Sequence, residues 1–224
     1  MSLPEKIRPA PWDQVAFGID CFELADSSPE LLEQALQTPG HYSVKVDPLA
    51  PKQALHRCGF YYCDTLLEPW CTPPRLVRLE RGGLAIDDAP ALETVLGICH
   101  GAFAHGRFHR DFGLDSRRAD RRYDNWLREL HRERKVYGLL YQGDLAGFIA
   151  RAGDCLVLHA LGERYRGRGL ARYFWSTRCA RLFAEGLPEV RSSISAANLA
   201  ALNLYAALGF RFRKPVDVYH RMVP

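Results

Sequence analysis

The chain has 224 residues, of which 47% are apolar and 25% are charged, and this ordinary globular composition excludes a disordered chain. No apolar run reaches the ~20 residues of a membrane helix, and we expect neither a membrane span nor a signal peptide. The seven cysteines contain no Cys-x-x-Cys pair, so we expect reduced thiols and a cytoplasmic protein without a metal site.

The net charge of +4 is unevenly distributed along the chain. Residues 1–74 hold 5 Lys and Arg against 10 Asp and Glu, whereas residues 75–224 hold 25 against 16. The basic part is mostly arginine, which suits contacts with phosphate groups. Because no block of basic residues is interleaved with aromatic residues, we favour a phosphorylated small molecule over nucleic acid as the anionic partner.

The acidic first part alternates predicted helices and strands. Residues 29–37 form a predicted helix with Pro29 in its first turn, and residues 41–46 alternate as a strand. A short helix over 52–58 ends at Gly59, which suits a left-handed cap, and a strand starts at Phe60. The three prolines of Glu68–Arg75 then predict an extended linker, and we place a boundary between residues 1–74 and 75–224 there.

The basic second part begins with two predicted helices. The first starts near Pro90, with Asp87 or Asp88 as its cap, and a long polar helix follows near 117–134. Three strands then follow closely, the first two joined by a Gly-Asp turn and the third almost entirely apolar, over residues 136–141, 145–151 and 155–161.

A glycine-rich, arginine-rich turn follows this apolar strand. It reads Arg164-Tyr-Arg-Gly-Arg-Gly169 and precedes a helix. Glycines allow turn conformations closed to other residues, and a helix N-terminus with free N–H groups suits an anion such as a pyrophosphate. A Walker loop is absent, and Arg172 stands where a dinucleotide fingerprint needs glycine. The alternative is a strand-to-helix turn that is merely basic.

A second motif follows the strand predicted at 190–194. Asn198 lies where a helix begins and is suited to cap it or to bind a ligand amide. Tyr205 lies on the same helix, which ends at Gly209-Phe210. By itself Tyr205 is more typical of a packed, hydrogen-bonded tyrosine than of a catalytic one.

Taken in this order and spacing, Arg-x-x-Gly-x-Gly and Asn-x-x-Ala-x-x-Leu-Tyr-x-x-x-Gly-Phe resemble the GNAT superfamily of acetyl-CoA-dependent N-acyltransferases. The resemblance is strongest over 136–213 and implies an α/β (α+β mixed-sheet) GNAT fold. Residues 11–19 and 102–108 resemble a narrower group, the N-acetyltransferases of dTDP-4-amino-4,6-dideoxy sugars such as dTDP-fucosamine. That resemblance implies that residues 1–74 are a truncated GNAT-like module in front of a GNAT domain at 75–224.

The superfamily resemblance implies direct transfer from acetyl-CoA, as co-substrate, in a ternary complex. It assigns the cofactor to the end of the apolar strand, the basic turn and the second motif: Leu158, Ala160, Leu161, Arg164, Arg166, Gly167, Arg168, Gly169, Leu170, Asn198 and Tyr205. A backbone N–H near 158–160 would polarise the thioester carbonyl. Tyr205 takes the position of the general acid that protonates the leaving thiolate.

The sequence leaves the general base and the acceptor contacts open. Asp64 matches an acidic position of the dideoxysugar enzymes, but a solvated carboxylate at a strand end fits equally well. His159 is either a substrate contact or a histidine hydrogen-bonded in the core. Arg107, Phe108 and His109 are candidate acceptor contacts, with Arg107 suited to a nucleotide phosphate.

We expect the acceptor to be the 4-amino group of a nucleotide-linked 4-amino-4,6-dideoxy sugar, used for a cell-surface polysaccharide. The alternatives are a protein N-terminus, a polyamine or an antibiotic amine as acceptor, or a non-catalytic acyl-CoA-binding module. Self-association as a homodimer is an open alternative.

Overall fold

The computed structural model describes residues 5–224, and within this range the strands form one sheet. In chain order the strands are β1 (Ile7–Pro9), β2 (Cys21–Leu24), β3 (Gly40–Val46), β4 (Tyr61–Cys71), β5 (Leu84–Asp87), β6 (Val136–Tyr141), β7 (Asp144–Ala152), β8 (Cys155–Leu161), β9 (Val190–Ser192), β10 (Ile194–Ser195) and β11 (Arg211–Val223). The helices are α1 (Pro11–Phe17), α2 (Pro29–Ala35), α3 (Gln53–Arg57), α4 (Leu92–Cys99), α5 (Arg107–Arg110), α6 (Ser116–Arg132), α7 (Ala171–Ala184) and α8 (Leu199–Ala207).

The sheet is mixed, as expected for the predicted α/β class. Its order is β1-β2-β3-β11-β4-β9-β8-β7-β6-β5, and β10 also pairs with β4. The pairs β2–β3 and β8–β9 are parallel, and the other pairs are antiparallel. A parallel pair needs a crossover connection, and α2 and α7 supply these two crossovers.

The last strands of the two parts of the chain are exchanged. β11, at the C-terminus, lies between β3 and β4, where Val218 pairs with both Lys45 and Asp64. β4 in turn pairs with β9 and β10 of the second part. The division into residues 1–74 and 75–224 stays a prediction, and the two parts share one continuous sheet.

The order of elements is repeated within this sheet. The series β2-α2-β3-α3-β4 corresponds to β8-α7-β9/β10-α8-β11, with a parallel pair first and a short helix before the last strand. Gly59 and Gly209 end the two short helices with φ of +72° and +86°, which favours glycine. This correspondence supports the proposal that the first part is a truncated relative of the second.

Apolar side chains fill both faces of the sheet. On one face of the second part, α7 and α8 cover a cluster that includes Leu139, Ile149 and Phe174. On the other face, α4 and α6 cover a cluster that includes Phe148 and Leu158. Consecutive strand residues, such as Phe148 and Ile149, therefore pack into clusters on opposite faces of the sheet, as the two-residue period of a strand requires.

Most predicted elements are confirmed, and three details are corrected. The predicted linker is wrong at Glu68–Cys71, which complete β4; only Pro73–Arg75 form a short 3-10 turn. Asp87 ends β5, and the cap of α4 is Ala91 without a side-chain bond. The strand predicted at 190–194 is interrupted at Ser193. All seven cysteines are free thiols, and no described helix is long and apolar enough to span a membrane.

Candidate active site

A gap opens in the sheet between β8 and β9. The two strands pair only at Cys155–Arg191 and Leu156–Ser192, after which β10 turns to pair with β4. From Val157 to Leu161, β8 continues beside β7 alone. Its free edge therefore offers backbone N–H and C=O groups to a ligand that extends along the strand.

The register of β7 and β8 decides which backbone groups face the gap. The N–H of Gly162 donates to Ala146 O (2.9 Å), and Ala160 lies opposite Phe148. Because opposite residues alternate between bonded and non-bonded pairs, the backbone groups of Leu158 and Ala160 bond to β7. Those of His159 and Leu161 point into the gap. Within the range 158–160 predicted to polarise the thioester, the register therefore singles out His159, and the assignment of Leu158 and Ala160 to the cofactor stays a prediction.

The turn after β8 forms a cradle of backbone N–H groups. Gly167 and Gly169 both have φ of +70°, and a Cβ built on either meets no atom within 4 Å. Among the described residues, the N–H groups of Gly167, Arg168, Gly169 and Leu170 have no hydrogen-bond partner. A cavity of ≈ 270 Å³ lies beside this turn, between the start of α7 and α8. Free N–H groups at the start of a long helix bind anions.

The arginines of this turn do not all converge on one point. Arg166 donates through Nε to Leu161 O (2.8 Å), while Arg168 lies over the ring of Tyr141 (5.5 Å). Arg164 lies over Tyr165, at 4.8 Å. All three side chains are exposed around the cradle and supply positive charge at its rim.

The first part of the chain has a cavity at the corresponding place, but its chemistry differs. It lies between Asp26–Pro29 and Ala50–Arg57, with a volume of ≈ 520 Å³. Here β2 and β3 stay paired from Cys21 to Leu24, so no strand edge is free. Asp26, at the start of this loop, accepts from Ser28 and Lys6. A carboxylate at this position disfavours a phosphate, so among the described residues the second part suits a coenzyme A diphosphate better than the first part does.

Tyr205 and His159 meet beside the gap. Tyr205 lies on α8 and is fully buried, and its hydroxyl is 2.9 Å from His159 Nε2. The indole of Trp175 packs edge-on against the His159 ring, and its buried Nε1 has no partner. Asn198 accepts from the N–H of Ala201 (3.1 Å) and thereby caps α8.

Burial shifts the pKa values of both rings of this pair. Burial raises the pKa of Tyr205 well above its ordinary value, so the phenol stays protonated at neutral pH. Burial lowers the pKa of His159 to about 4, so its imidazole is neutral. The pair therefore carries no net charge and holds one proton on the phenol that can be donated.

Asp64 is a buried carboxylate with one oxygen unused. It lies on β4, and its Oδ1 accepts from Ser195 Oγ (2.7 Å), the N–H of Thr65 (2.9 Å) and Arg110 Nη1 (3.3 Å). Its Oδ2 is buried and has no partner. Burial raises the pKa of Asp64, although Ser195 and Arg110 oppose the increase. The solvated strand-end carboxylate is therefore excluded, since the residue is 1% exposed.

The predicted acceptor contacts on α5 fall into two groups. Arg107 is half-buried, its Nε lacks a partner, and its charge acts on Asp64. Phe108 instead packs in the core against Phe17, with ring centroids 5.6 Å apart, and its contact with the acceptor stays a prediction. His109 bonds through Nε2 to Asp120 (2.9 Å) and holds the loop in place.

Three residues of this site were missed by sequence reasoning. Ser195 and Arg110 both donate to Asp64, and Trp175 packs on His159. Ser195 directly follows a buried strand and Arg110 lies in the same basic stretch as Arg107, so both had a signal. Trp175 reads as an ordinary apolar position of a helix.

Strand splaying, the N–H cradle and an adjacent buried tyrosine are features that suit an acyl-coenzyme A ligand, and the comparison with known proteins points to the same class of ligand. Residues 104–210 match the model of the acetyltransferase (GNAT) family. No curated protein sequence is a significant match to the chain. Residues 104–210 are therefore similar to a GNAT acetyltransferase domain, and acetyl-CoA is the acyl donor of that family.

Solved structures share the fold at low sequence identity. A GCN5-related N-acetyltransferase from Sphaerobacter thermophilus has a TM-score of 0.60 and 12% identity over 87% of this chain. This chain spans only 65% of the length of that protein. A tandem GNAT protein from the clavulanic acid pathway gives 0.53 and 12%, covering 88% of this chain and 68% of its own. A GCN5-related N-acetyltransferase from Kribbella flavida gives 0.56 and 14%, covering 92% and 81%.

Proposed function

We propose that this chain transfers the acetyl group of acetyl-CoA to the 4-amino group of a nucleotide-linked 4-amino-4,6-dideoxy sugar. The observation that carries the proposal is Asp64, a buried carboxylate with a free oxygen, flanked by Arg107 and Arg110. A carboxylate beside two arginines suits an acceptor that combines an amine with a nearby anion. The free cysteine thiols support a cytoplasmic location.

The donor side of the site fits coenzyme A by its chemistry. The free N–H groups from Gly167 to Leu170 are suited to a diphosphate, and the arginines at the rim add charge. The free edge of β8 offers the backbone of His159 and the N–H of Leu161 to an extended amide-containing arm, while Leu161 O accepts from Arg166. When bound, acetyl-CoA supplies an activated thioester to a nucleophilic amine.

The N–H of His159 is the group we assign to polarise the acetyl oxygen. It points into the gap, where the negative charge on that oxygen develops during transfer. Its own side chain bonds to Tyr205 on the α8 face (2.9 Å). The same residue therefore links the polarising N–H and the proton donor, which sequence reasoning had treated separately.

Two proton transfers complete the reaction. The acceptor attacks as a neutral amine, and Asp64 Oδ2 takes the one proton that the acceptor nitrogen loses as the C–N bond forms. The sulfur that leaves as a thiolate takes one proton from the Tyr205 hydroxyl, and the neutral His159 imidazole keeps that hydroxyl oriented. One N–H and one C–S bond break, one C–N and one S–H bond form, and the protons balance when Asp64 returns its proton through water to Tyr205.

The charges around Asp64 favour an anionic acceptor over a polycation. Arg107 and Arg110 would repel a polyamine or an aminoglycoside but would attract a nucleotide diphosphate. A region of a fungal β-N-acetylglucosaminidase with the same fold, at 10% identity and a TM-score of 0.55, is described as a glucosamine N-acetyltransferase. The fold is therefore compatible with an amino-sugar acceptor.

Release of coenzyme A thiol tests the proposal. We expect turnover with dTDP-4-amino-4,6-dideoxygalactose, and none with the matched sugar nucleotide that has a hydroxyl in place of the amine. Spermidine, an aminoglycoside and a peptide with a free N-terminus are the comparison acceptors. Preference for any of these over the sugar nucleotide would overturn the acceptor assignment. Acetyl-CoA binding without turnover on any amine would instead indicate a non-catalytic module.

A further inference from the structure

A buried hydrogen-bond cluster, outside the reacting groups, is centred on Asp111. His41 on β3, His220 on β11 and Tyr61 on β4 lie on one face of three neighbouring strands. The Asp111 carboxylate, from the loop after α5, lies against all three. We call these four residues the Asp111 cluster. Its aspartate and two histidine side chains are each at most 2% exposed.

Every acceptor site of the Asp111 carboxylate is used. Oδ2 lies 2.8 Å from His41 Nε2 and 2.6 Å from His220 Nδ1. Oδ1 accepts from Tyr61 OH and from the N–H of Gly113, both at 2.7 Å. Burial by itself would raise the pKa of Asp111, but the bonds from His220 and His41 hold it well below its ordinary range. The carboxylate is therefore an anion with four donors, which is a strong and directional arrangement.

The cluster fastens the acceptor loop to the first part of the sheet. Asp111 directly follows α5, which carries Arg107 and Arg110, and Arg110 donates to Asp64. A Cβ built on Gly113 would lie 2.6 Å from the Tyr61 hydroxyl, so a larger residue at this position would have to displace that hydroxyl from the cluster. Among the described residues, the cluster joins one loop of the second part to three adjacent strands.

Two other roles fit the cluster less well. The ligand atoms of His41, Asp111 and His220 lie close enough for a cation, but the separations of 2.6–2.8 Å are hydrogen-bond distances. A metal would push these atoms apart and displace bonds that already satisfy the carboxylate. A direct role in proton transfer to substrate fits less well than it does for Asp64, because both Asp111 oxygens already accept from two donors each, whereas Asp64 Oδ2 has no partner.

We infer that Asp111 is a positioning residue, which fixes the Arg107–Arg110 segment in the orientation that binds the acceptor. The role in acceptor binding rests on the proposed function, whereas the anchoring of the loop does not. Asp111→Asn perturbs the anchor with little change of volume. In one orientation its NH2 group would face the two imidazole N–H groups, and the tautomer of His220 that relieves this puts a proton on Nε2, which is buried without a partner. In the other orientation its NH2 group would face the N–H of Gly113.

Hydrogen exchange of the Gly113 amide tests the anchor without any substrate. We expect Asp111→Asn to speed its exchange by about tenfold or more, since this N–H donates directly to the carboxylate. Asp115→Asn is the matched control: it changes the same charge four residues later, and asparagine still caps α6. Tyr61→Phe is the second variant in case Asp111→Asn fails to fold. It removes only one hydrogen bond of the cluster, so we expect a smaller increase in the exchange rate of the Gly113 amide. Unchanged Gly113 exchange in the folded variants would overturn the anchor.

Steady-state kinetics test the role in acceptor binding. We expect Asp111→Asn to raise KM for dTDP-4-amino-4,6-dideoxygalactose about tenfold and to change KM for acetyl-CoA less than twofold, roughly the loss of one charged hydrogen bond. Faster exchange with an unchanged acceptor KM would overturn the positioning role. Stoichiometric zinc in the wild type that Asp111→Asn loses would overturn the anchor in favour of a metal site. If the wild-type protein does not acetylate the sugar nucleotide, the proposed function is wrong. The anchoring role of Asp111 is then still tested by hydrogen exchange of the Gly113 amide.

Discussion

Tyr205→Phe removes one oxygen from the centre of the proposed site and leaves the ring in place. The ring is fully buried and packs against Phe210, with centroids 4.8 Å apart, so the variant keeps its apolar contacts. The lost hydrogen bond to His159 costs about 1 kcal/mol of stability. Loss of a general acid lowers the rate by about 10²- to 10⁴-fold, or about 2.7–5.4 kcal/mol in the barrier. The catalytic effect therefore exceeds the effect on stability.

The assay follows thiol release for kcat and calorimetry for the affinity for coenzyme A. We expect kcat to fall at least about 100-fold while that affinity changes less than about twofold. Tyr42→Phe is the matched control, since Tyr42 is also fully buried and its hydroxyl donates one bond, to Thr38 O (2.9 Å). A Tyr205→Phe enzyme with wild-type kcat, or one whose loss equals that of Tyr42→Phe, would refute the assignment of the acid.

Four further predictions follow from the same geometry. Asp64→Asn keeps the bond from Ser195 but removes the base, so kcat/KM for the acceptor should fall about 100-fold or more, whereas Asp26→Asn in the first part should leave it unchanged. Gly169→Ala strains a residue at φ +70° and places a methyl group in the cradle, so we expect KM for acetyl-CoA to rise about tenfold. Gly153→Ala is the control, because Gly153 has φ of +61° in equally open space. Equal KM values for acetyl-CoA in these two variants would contradict a cradle. Burial lowers the pKa of His159 to about 4 in the folded protein, so below about pH 6.5 the unfolded chain binds more protons than the folded one. Through this group the free energy of unfolding should fall by about 2 kcal/mol between pH 7 and pH 5. Urea denaturation of His159→Gln should show a fall that is smaller by this amount. A fragment of residues 75–224 would hold β11 without its neighbours β3 and β4. We therefore expect circular dichroism to show no cooperative thermal transition for this fragment until residues 1–74 are added. A cooperative transition of the fragment by itself would contradict the exchange of strands.

Local patterns in the sequence determined the elements that flank the site. The apolar run at 155–161 is confirmed as β8 without change, and Gly143 closes the predicted hairpin before it. The two glycines after β8 and the cap at Asn198 are properties of a few neighbouring residues, which is why spacing alone predicted them. The link between Asn198 and Tyr205 is likewise fixed by the period of one helix.

Contacts between distant segments were decided only by the tertiary structure. Asp64 meets Ser195 across 131 residues of sequence, and Asp111 meets His41 across 70. The hydrophobic periodicity of a strand does not indicate which other strand it pairs with. The position of β11 between β3 and β4 was therefore not predictable from the sequence. The local preference of the proline-rich segment 68–75 predicted a linker, and this was wrong for residues 68–71. Pro69 instead lies within β4, in register with Phe212 of β11. Pairing and burial of long-range partners, rather than local propensity, decided which residues surround the gap.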